Sequence, residues 1–378
     1  MKIRRKSDGK PGFTFPLPTY FLAKLVHSNP QIGDALHGLE SRYLNSKLNK
    51  TRIEKPIYVV GLARAGTTIT TQMLGEHNKI ATHTYLNMPM PYLPYWFRRL
   101  VSNTSIMTKP TERLHKDGLM VTRDSSEAVE EIFWQRYFQE TLEENESSII
   151  NHNGDNTKFE RFYMSHIKKL LLSHGASRYA CKNNYNVARM KYIQSLFSDA
   201  KFVILVRNPF SHIASLVKQD MVLERLKHEN PFLQDWTKII GHRDLGSWKI
   251  CINLDDGDTV KSIRKLWSEN GTYVKGWALY WSYIYRHIHN RLQNDEKLNR
   301  NSLVVNYEAL CKSPKHMIDG IFKHIEINDR DFRRVREDYA ELLHEPGYYS
   351  VEFSHGEKKD IIEATSSTAK EFGYDIVG

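Results

Sequence analysis

The feature that most constrains this chain is a change of pattern at residue 56. Pro56 is followed by Ile57, Tyr58, Val59 and Val60, then by Gly61-Leu62-Ala63-Arg64-Ala65-Gly66, then by Thr67-Thr68-Ile69-Thr70-Thr71-Gln72-Met73-Leu74. A short run with three β-branched residues reads as a buried parallel strand. The glycine-bounded segment reads as a loop and residues 67–76 as a helix. Such a strand–loop–helix converges backbone N–H groups on a helix N-terminus, where the helix dipole adds positive potential, so it suits an anion. Further buried-strand candidates are 80–84, 178–181, 202–206 and 303–306. Helical patterns fill 126–145, 159–173, 187–197, 209–218, 267–293 and 314–324. Strands separated by helices predict an α/β fold: a central parallel sheet with helices on both faces.

The chain is expected to form one domain over residues 1–378, with 1–55 an irregular lead-in carrying short helices. Two stretches lack a firm pattern: 219–260, and the basic 98–123 with Arg98, Arg99, Lys109, Arg113, Lys116 and Arg123. Long irregular insertions in such a fold often bind substrate.

The formal charge, 54 − 44 = +10, fits an anionic ligand or polymer. No Arg/Gly or aromatic repeat points to nucleic acid. Three cysteines, Cys181, Cys251 and Cys311, are far apart and odd in number, which predicts reduced thiols and neither a disulfide framework nor a Cys-rich metal site. The basic start, MKIRRKSDGK, is followed by an apolar stretch interrupted by Pro16, Pro18 and Lys24, unlike a signal peptide. The run 202–206 is too short to span a bilayer. A cytoplasmic protein without a membrane span is expected.

A nucleotide-triphosphatase loop would place lysine after the second glycine. Here that position is Thr67, and the cation is Arg64, two places before Gly66. A second constellation lies at 201–217. Arg207 ends an apolar strand, Pro209 can open a helix, and Ser215 follows Arg207 by eight residues. Ligands of open α/β sheets bind beyond the carboxyl ends of strands, so Arg207 projects towards the anion of the first loop. Its guanidinium fork matches phosphate oxygens. Lys182 and Asn184 follow another strand on that same side.

The pattern G-x-x-R-x-G-T-T resembles the 5'-phosphosulfate loop of sulfotransferases that use 3'-phosphoadenosine-5'-phosphosulfate (PAPS). Arg207-Asn208-Pro209 with Ser215 is similar to that family's 3'-phosphate motif. The resemblance implies a three-layer P-loop-like fold, with Arg64, Ala65, Gly66, Thr67 and Thr68 on the 5'-phosphosulfate. It implies Arg207 and Ser215 on the 3'-phosphate, Lys182 among the nucleotide or acceptor contacts, and Arg64 stabilising charge on the leaving phosphate. It leans towards bacterial carbohydrate-type members, which implies a carbohydrate hydroxyl as acceptor and 98–123 and 219–260 as acceptor-binding insertions. A late basic segment, 355–359, would close over the nucleotide.

Transfer to an alcohol needs a general base. Asn87 stands where the family often has an acid. His83, Glu130 and Glu131 are the candidates; Glu127 reads as a first-turn residue of helix 126–145. Trp277 and Trp281 read as helix core. The alternative reading is a P-loop kinase acting on a small metabolite or sugar. Such an enzyme usually carries an Asp at a strand end to organise Mg²⁺, whereas 202–206 runs into Arg207 and 303–305 into Asn306. No metal is therefore expected. A non-enzymatic binder of anionic glycans is the second rival.

Overall fold

The computed structural model describes residues 17–102, 104, 109–112, 120–150, 156–229, 231–328, 330–344 and 352–376. Three helices, α1 (Leu17–Ser28), α2 (Pro30–Tyr43) and α3 (Asn45–Lys50), precede strand β1 (Ile57–Val60) and α4 (Thr67–Gly75). Next come β2 (Ile80–Ala81), α5 (Pro94–Val101), the short strands β3 (Thr111–Glu112) and β4 (Met120–Val121), α6 (Glu131–Tyr137) and α7 (Thr157–His174). Strand β5 (Arg178–Lys182), α8 (Met190–Leu196), β6 (Lys201–Val206), α9 (Pro209–Glu229), α10 (Pro231–Ile239), α11 (Gly257–Ser268) and α12 (Tyr273–Asn294) follow. The chain continues through α13 (Glu296–Arg300), β7 (Ser302–Asn306), α14 (Tyr307–Lys312), α15 (Pro314–His324), α16 (Arg330–Leu342) and α17 (His355–Glu371).

The main sheet has the order β2-β5-β1-β6-β7, with every pairing parallel. Side chains alternate across a strand, and here the alternation divides the core. Tyr58, Val60, Tyr179, Cys181, Phe202 and Ile204 face the helices α7, α8 and α12. Ile57, Val59, Ala180, Val203 and Leu205 face α4 and α15. Both faces are covered, which is why these strands read as continuous apolar runs. The α/β, three-layer expectation holds. All three cysteines are buried thiols, and among the described residues no helix is long and apolar enough to cross a membrane.

Several expectations are corrected. The lead-in is ordered from residue 17: Tyr20, Ala23 and Val26 of α1 pack against Met90, Tyr92 and Trp236, and residues 1–16 lie outside the described residues. Helix 126–145 does not form. Ser126 bridges to Thr84, Glu127 donates its N–H to the His83 carbonyl at 2.9 Å, and helix begins only at Glu131. Tertiary pairing here overrides local helical pattern. Helix 267–293 is two helices separated at Gly271, whose φ of 84° lies in the left-handed region. The predicted helix 209–218 continues to Glu229, so much of 219–260 is α9 and α10 and only about 240–256 is irregular. Segment 98–123 starts inside α5 and contains the β3–β4 ribbon; Arg113 and Lys116 lie outside the described residues.

Candidate active site

The loop from Gly61 to Gly66 lies between the carboxyl end of β1 and the N-terminus of α4. A Cβ at Gly61 would approach the Leu205 carbonyl oxygen to 2.7 Å, and one at Gly66 would strike the Tyr307 ring. Both positions therefore require glycine, and both have positive φ. Arg64 also sits in the left-handed region, at φ 72°, a conformation that costs a non-glycine residue on the order of 1 kcal/mol or more. The N-cap of α4 is Gly66, which has no side chain to occupy the first amides of the helix.

The residues of the two motifs meet here. Arg207 donates from Nη1 to the Arg64 main-chain oxygen at 3.1 Å, and Arg64 donates from Nε to Ser215 Oγ at 3.2 Å. Arg207 is buried, lies over the Tyr307 ring at 5.0 Å, and stands 3.9 Å from Glu308. Its Nε is buried without a hydrogen-bond partner among the described residues, as is the Gln219 amide nitrogen one turn beyond Ser215. Lys182, at the end of β5, donates to Thr68 Oγ1 at 3.3 Å. Arg64, Arg207, Ser215, Thr68 and Lys182 thus surround one end of the sheet. Lys218 adds a further cation: burial and the neighbouring Arg64 hold its ammonium below the usual lysine range.

The loop is braced from behind by His212, which the sequence reading did not single out. Its Nε2 donates to the Ala63 carbonyl at 2.8 Å, while Trp281 donates to Nδ1 at 3.1 Å. That pair of bonds defines a neutral imidazole, and burial pushes its pKa down to about 3. The backbone N–H of Asn208 donates to Glu308, and Tyr374 donates to the same carboxylate at 2.6 Å. Phe353, just before α17, contacts the Phe210 ring at 6.3 Å, so the segment entering 355–359 reaches the start of α9.

The three base candidates are all buried. His83 is fully buried, with Nε2 2.8 Å from His166 Nε2 and Nδ1 3.2 Å from the Tyr179 hydroxyl; burial pushes its pKa down to about 3. Glu130 is buried beneath the sheet and accepts from Tyr163 at 2.6 Å, from Cys181 at 3.0 Å and from Tyr179. Glu131 is clasped by Arg189 through two bonds of 2.6 and 3.0 Å and by Asn183 at 2.7 Å. Gly241 packs on it so closely that a Cβ would come within 2.9 Å. These are buried polar groups bonded to partners within the protein, and Glu131 lies close enough to Asp244 to push its carboxyl up. Asn87 is likewise structural, accepting from the Thr84 N–H at 2.8 Å.

A different set of titratable groups surrounds Lys182. Glu127 is half-buried. Burial alone would raise its carboxyl, but Lys182, His242, the Tyr85 hydroxyl and the Ala128 N–H outweigh burial and hold it at about 2. His242 donates from Nε2 to the Ala128 carbonyl at 3.0 Å. Asp244, also half-buried, is held above the usual carboxylate range by burial, against the pull of His242, Lys182 and a hydrogen bond with Asn184. The Asn184 carbonyl oxygen is buried and unpartnered among the described residues. His242 and Asp244 come from the irregular part of 219–260, where only the absence of a helical pattern hinted at a site.

Fold and site together define an α/β protein whose glycine-bounded loop between strand and helix carries an arginine. A profile of the sulfotransferase family matches residues 56–248, just over half of the chain. The chain belongs to the sulfotransferase family. In fold it is similar to the crystal structure of sulfotransferase STF9 from Mycobacterium avium, at 12% identity with a TM-score of 0.51, covering 89% of this chain and 82% of that one. Sulfotransferase STF1 from Mycobacterium tuberculosis H37Rv matches at 13% identity with a TM-score of 0.49, over 96% of this chain and 88% of that one. No curated protein matches the sequence.

Proposed function

We propose that this protein transfers a sulfuryl group from PAPS to an acceptor hydroxyl. The observation that carries the reading is the meeting of Arg64, Arg207 and Ser215 at the carboxyl end of the sheet. Arg207 Nε makes no hydrogen bond among the described residues and has Glu308 at 3.9 Å; a guanidinium fork so placed beside Arg64 and Ser215 fits a 3'-phosphate. The uncapped start of α4, with Thr67 and Thr68, fits the 5'-phosphosulfate.

When bound, the donor supplies an activated sulfuryl group on a phosphate leaving group. Arg64 and the loop amides then hold the charge that grows on that phosphate. Lys182, on Thr68, supports the sulfuryl side. Asp244 is the proposed general base: its raised pKa makes it a stronger proton acceptor than Glu127, whose carboxyl stands at about 2. Asn184 positions Asp244, and its side-chain oxygen, unpartnered among the described residues, is offered to an acceptor hydroxyl. This polar array around Lys182 favours a hydroxyl-rich acceptor, a carbohydrate.

Calorimetry tests the reading. 3'-Phosphoadenosine-5'-phosphate is expected to bind roughly tenfold to a hundredfold more tightly than its analogue lacking the 3'-phosphate, the effect of a charged hydrogen-bonded pair. Equal affinities would overturn it.

A further inference from the structure

Resting on the donor reading of the Gly61–Gly66 loop, we propose that His212 is a positioning residue of the donor site. Its imidazole holds the Ala63–Arg64 peptide so that the loop turns amide N–H groups and the Arg64 side chain towards the 5'-phosphate. Neither motif assigns a role to this residue. His212 stands in the first turn of α9, between Arg207 and Ser215, and is fully buried. Its Nε2 donates to the Ala63 carbonyl oxygen at 2.8 Å, and Trp281 of α12 donates to Nδ1 at 3.1 Å. An indole N–H can only donate, so Nδ1 is the accepting nitrogen and Nε2 carries the proton. Burial, and then the neighbouring Arg207 and Arg64, disfavour a second proton on the ring.

Peptide geometry carries this bond into the loop. A trans peptide points its C=O and N–H in opposite directions, so anchoring the Ala63 oxygen on His212 turns the Arg64 N–H the other way. Neighbouring oxygens are held too. Leu62 accepts from the Ala65 N–H at 3.2 Å, Arg64 from Arg207 at 3.1 Å, and Gly66 from the Thr70 N–H and hydroxyl at 3.2 and 3.1 Å. With those oxygens engaged by the protein, the loop offers an anion N–H groups rather than lone pairs. One turn beyond Trp281 on the same face of α12, Tyr285 donates to the Leu205 carbonyl oxygen at 3.0 Å, the atom that a Cβ at Gly61 would meet. Helix α12 thus backs the loop at Gly61 and, through His212, at Ala63. Arg64 has a φ of 72°, and a non-glycine residue keeps such a conformation only where its surroundings over-determine it. His212 and Arg207 hold the carbonyl oxygens just before and just after that φ, and so supply the constraint.

Two nucleotides isolate the loop's share of binding, and neither needs an acceptor. On the donor reading, 3'-phosphoadenosine-5'-phosphate engages both ends of the site and adenosine 3'-phosphate only the Arg207 and Ser215 end. The ratio of their dissociation constants in calorimetry therefore reports the loop. His212→Asn keeps an acceptor for Trp281 but is too short to reach Ala63. Its ratio is expected to shrink at least about tenfold, with adenosine 3'-phosphate bound as in wild type. His212→Gln places an amide nitrogen near the position of Nε2 and is expected to restore most of the ratio. A merely structural histidine would affect both nucleotides together or neither. An unchanged ratio in His212→Asn, or an equal loss in both variants, overturns the proposal. NMR of wild-type protein labelled at the histidine nitrogens needs no variant to fold. It is expected to show His212 neutral with its proton on Nε2 from about pH 5 to 8; a proton on Nδ1 overturns the proposal as well. A wild-type protein that binds neither nucleotide overturns the donor reading itself, and the role of His212 with it.

Discussion

Arg207 donates from Nη1 to the main-chain oxygen of Arg64 at 3.1 Å, so the cation at the end of β6 secures the backbone of the cation in the Gly61–Gly66 loop. Arg64 in turn reaches Ser215. The two motifs are therefore one unit, and a change at Arg207 is expected to disturb both ends of the donor site.

The left-handed backbone of Arg64 separates its chemical role from its structural one. Arg64→Gly removes the guanidinium and relieves the backbone, so thermal stability is expected to hold or rise by at most about 1 kcal/mol. Turnover is expected to fall on the order of 10²–10³, the loss typical of an electrostatic contact made where charge develops. Arg64→Lys should recover part of it, because the cation is kept and the fork is lost. Steady-state kinetics on folded protein reads both; a normal turnover number in Arg64→Gly removes Arg64 from the mechanism.

Asp244 is expected to set the acidic limb of the pH–rate profile. Burial raises its carboxyl, so the limb should lie above the ordinary aspartate value of about 3.9. Asp244→Asn is expected to lower turnover roughly 10²–10⁴ and erase that limb. Glu127→Gln should leave the limb where it is, since the Glu127 carboxyl stands at about 2. If the limb follows Glu127 instead, the base is misassigned.

Glu131 and Arg189 form a buried pair, and breaking one member leaves a charge without its partner. Glu131→Gln is expected to destabilise the fold by about 3–5 kcal/mol, measured by urea unfolding. Turnover per folded molecule is expected to stay normal. Loss of turnover at unchanged stability would return Glu131 to the list of bases.

Acid should unfold this protein through its histidines. His37, His83 and His212 are buried and held at about 3, and burial places His166 well below the usual value. Above pH about 6.5 these groups are neutral in both states and stability is fully present. Below it the unfolded chain binds protons that the native state refuses, so stability falls by about 1.4 kcal/mol per pH unit for each histidine. Unfolding midpoints in urea at pH 7, 6 and 5 should decline steeply; a flat profile would show that these imidazoles are protonated in the native state.

Residues 57–74 and 201–215 declared their own structure, because a buried strand, a loop that needs glycine and a helix opened by proline are all local statements. Parallel pairing followed too, since the runs 57–60 and 202–206 are apolar on both faces. The base was a different problem. His83, Glu130 and Glu131 are the right residue types, yet whether a carboxylate or imidazole faces a ligand or the core depends on partners far away in sequence: Arg189 is 58 residues from Glu131, and His166 is 83 from His83. Likewise Lys182 meets Thr68 across 114 residues. Those partners also decide protonation, because burial and neighbouring charge shift a pKa and neither is written in the local pattern. By itself the sequence determined the glycine-bounded loop, the arginine motif and the sheet that presents them; only the tertiary structure decided which titratable groups gather around Lys182, because long-range packing alone sets distance and desolvation.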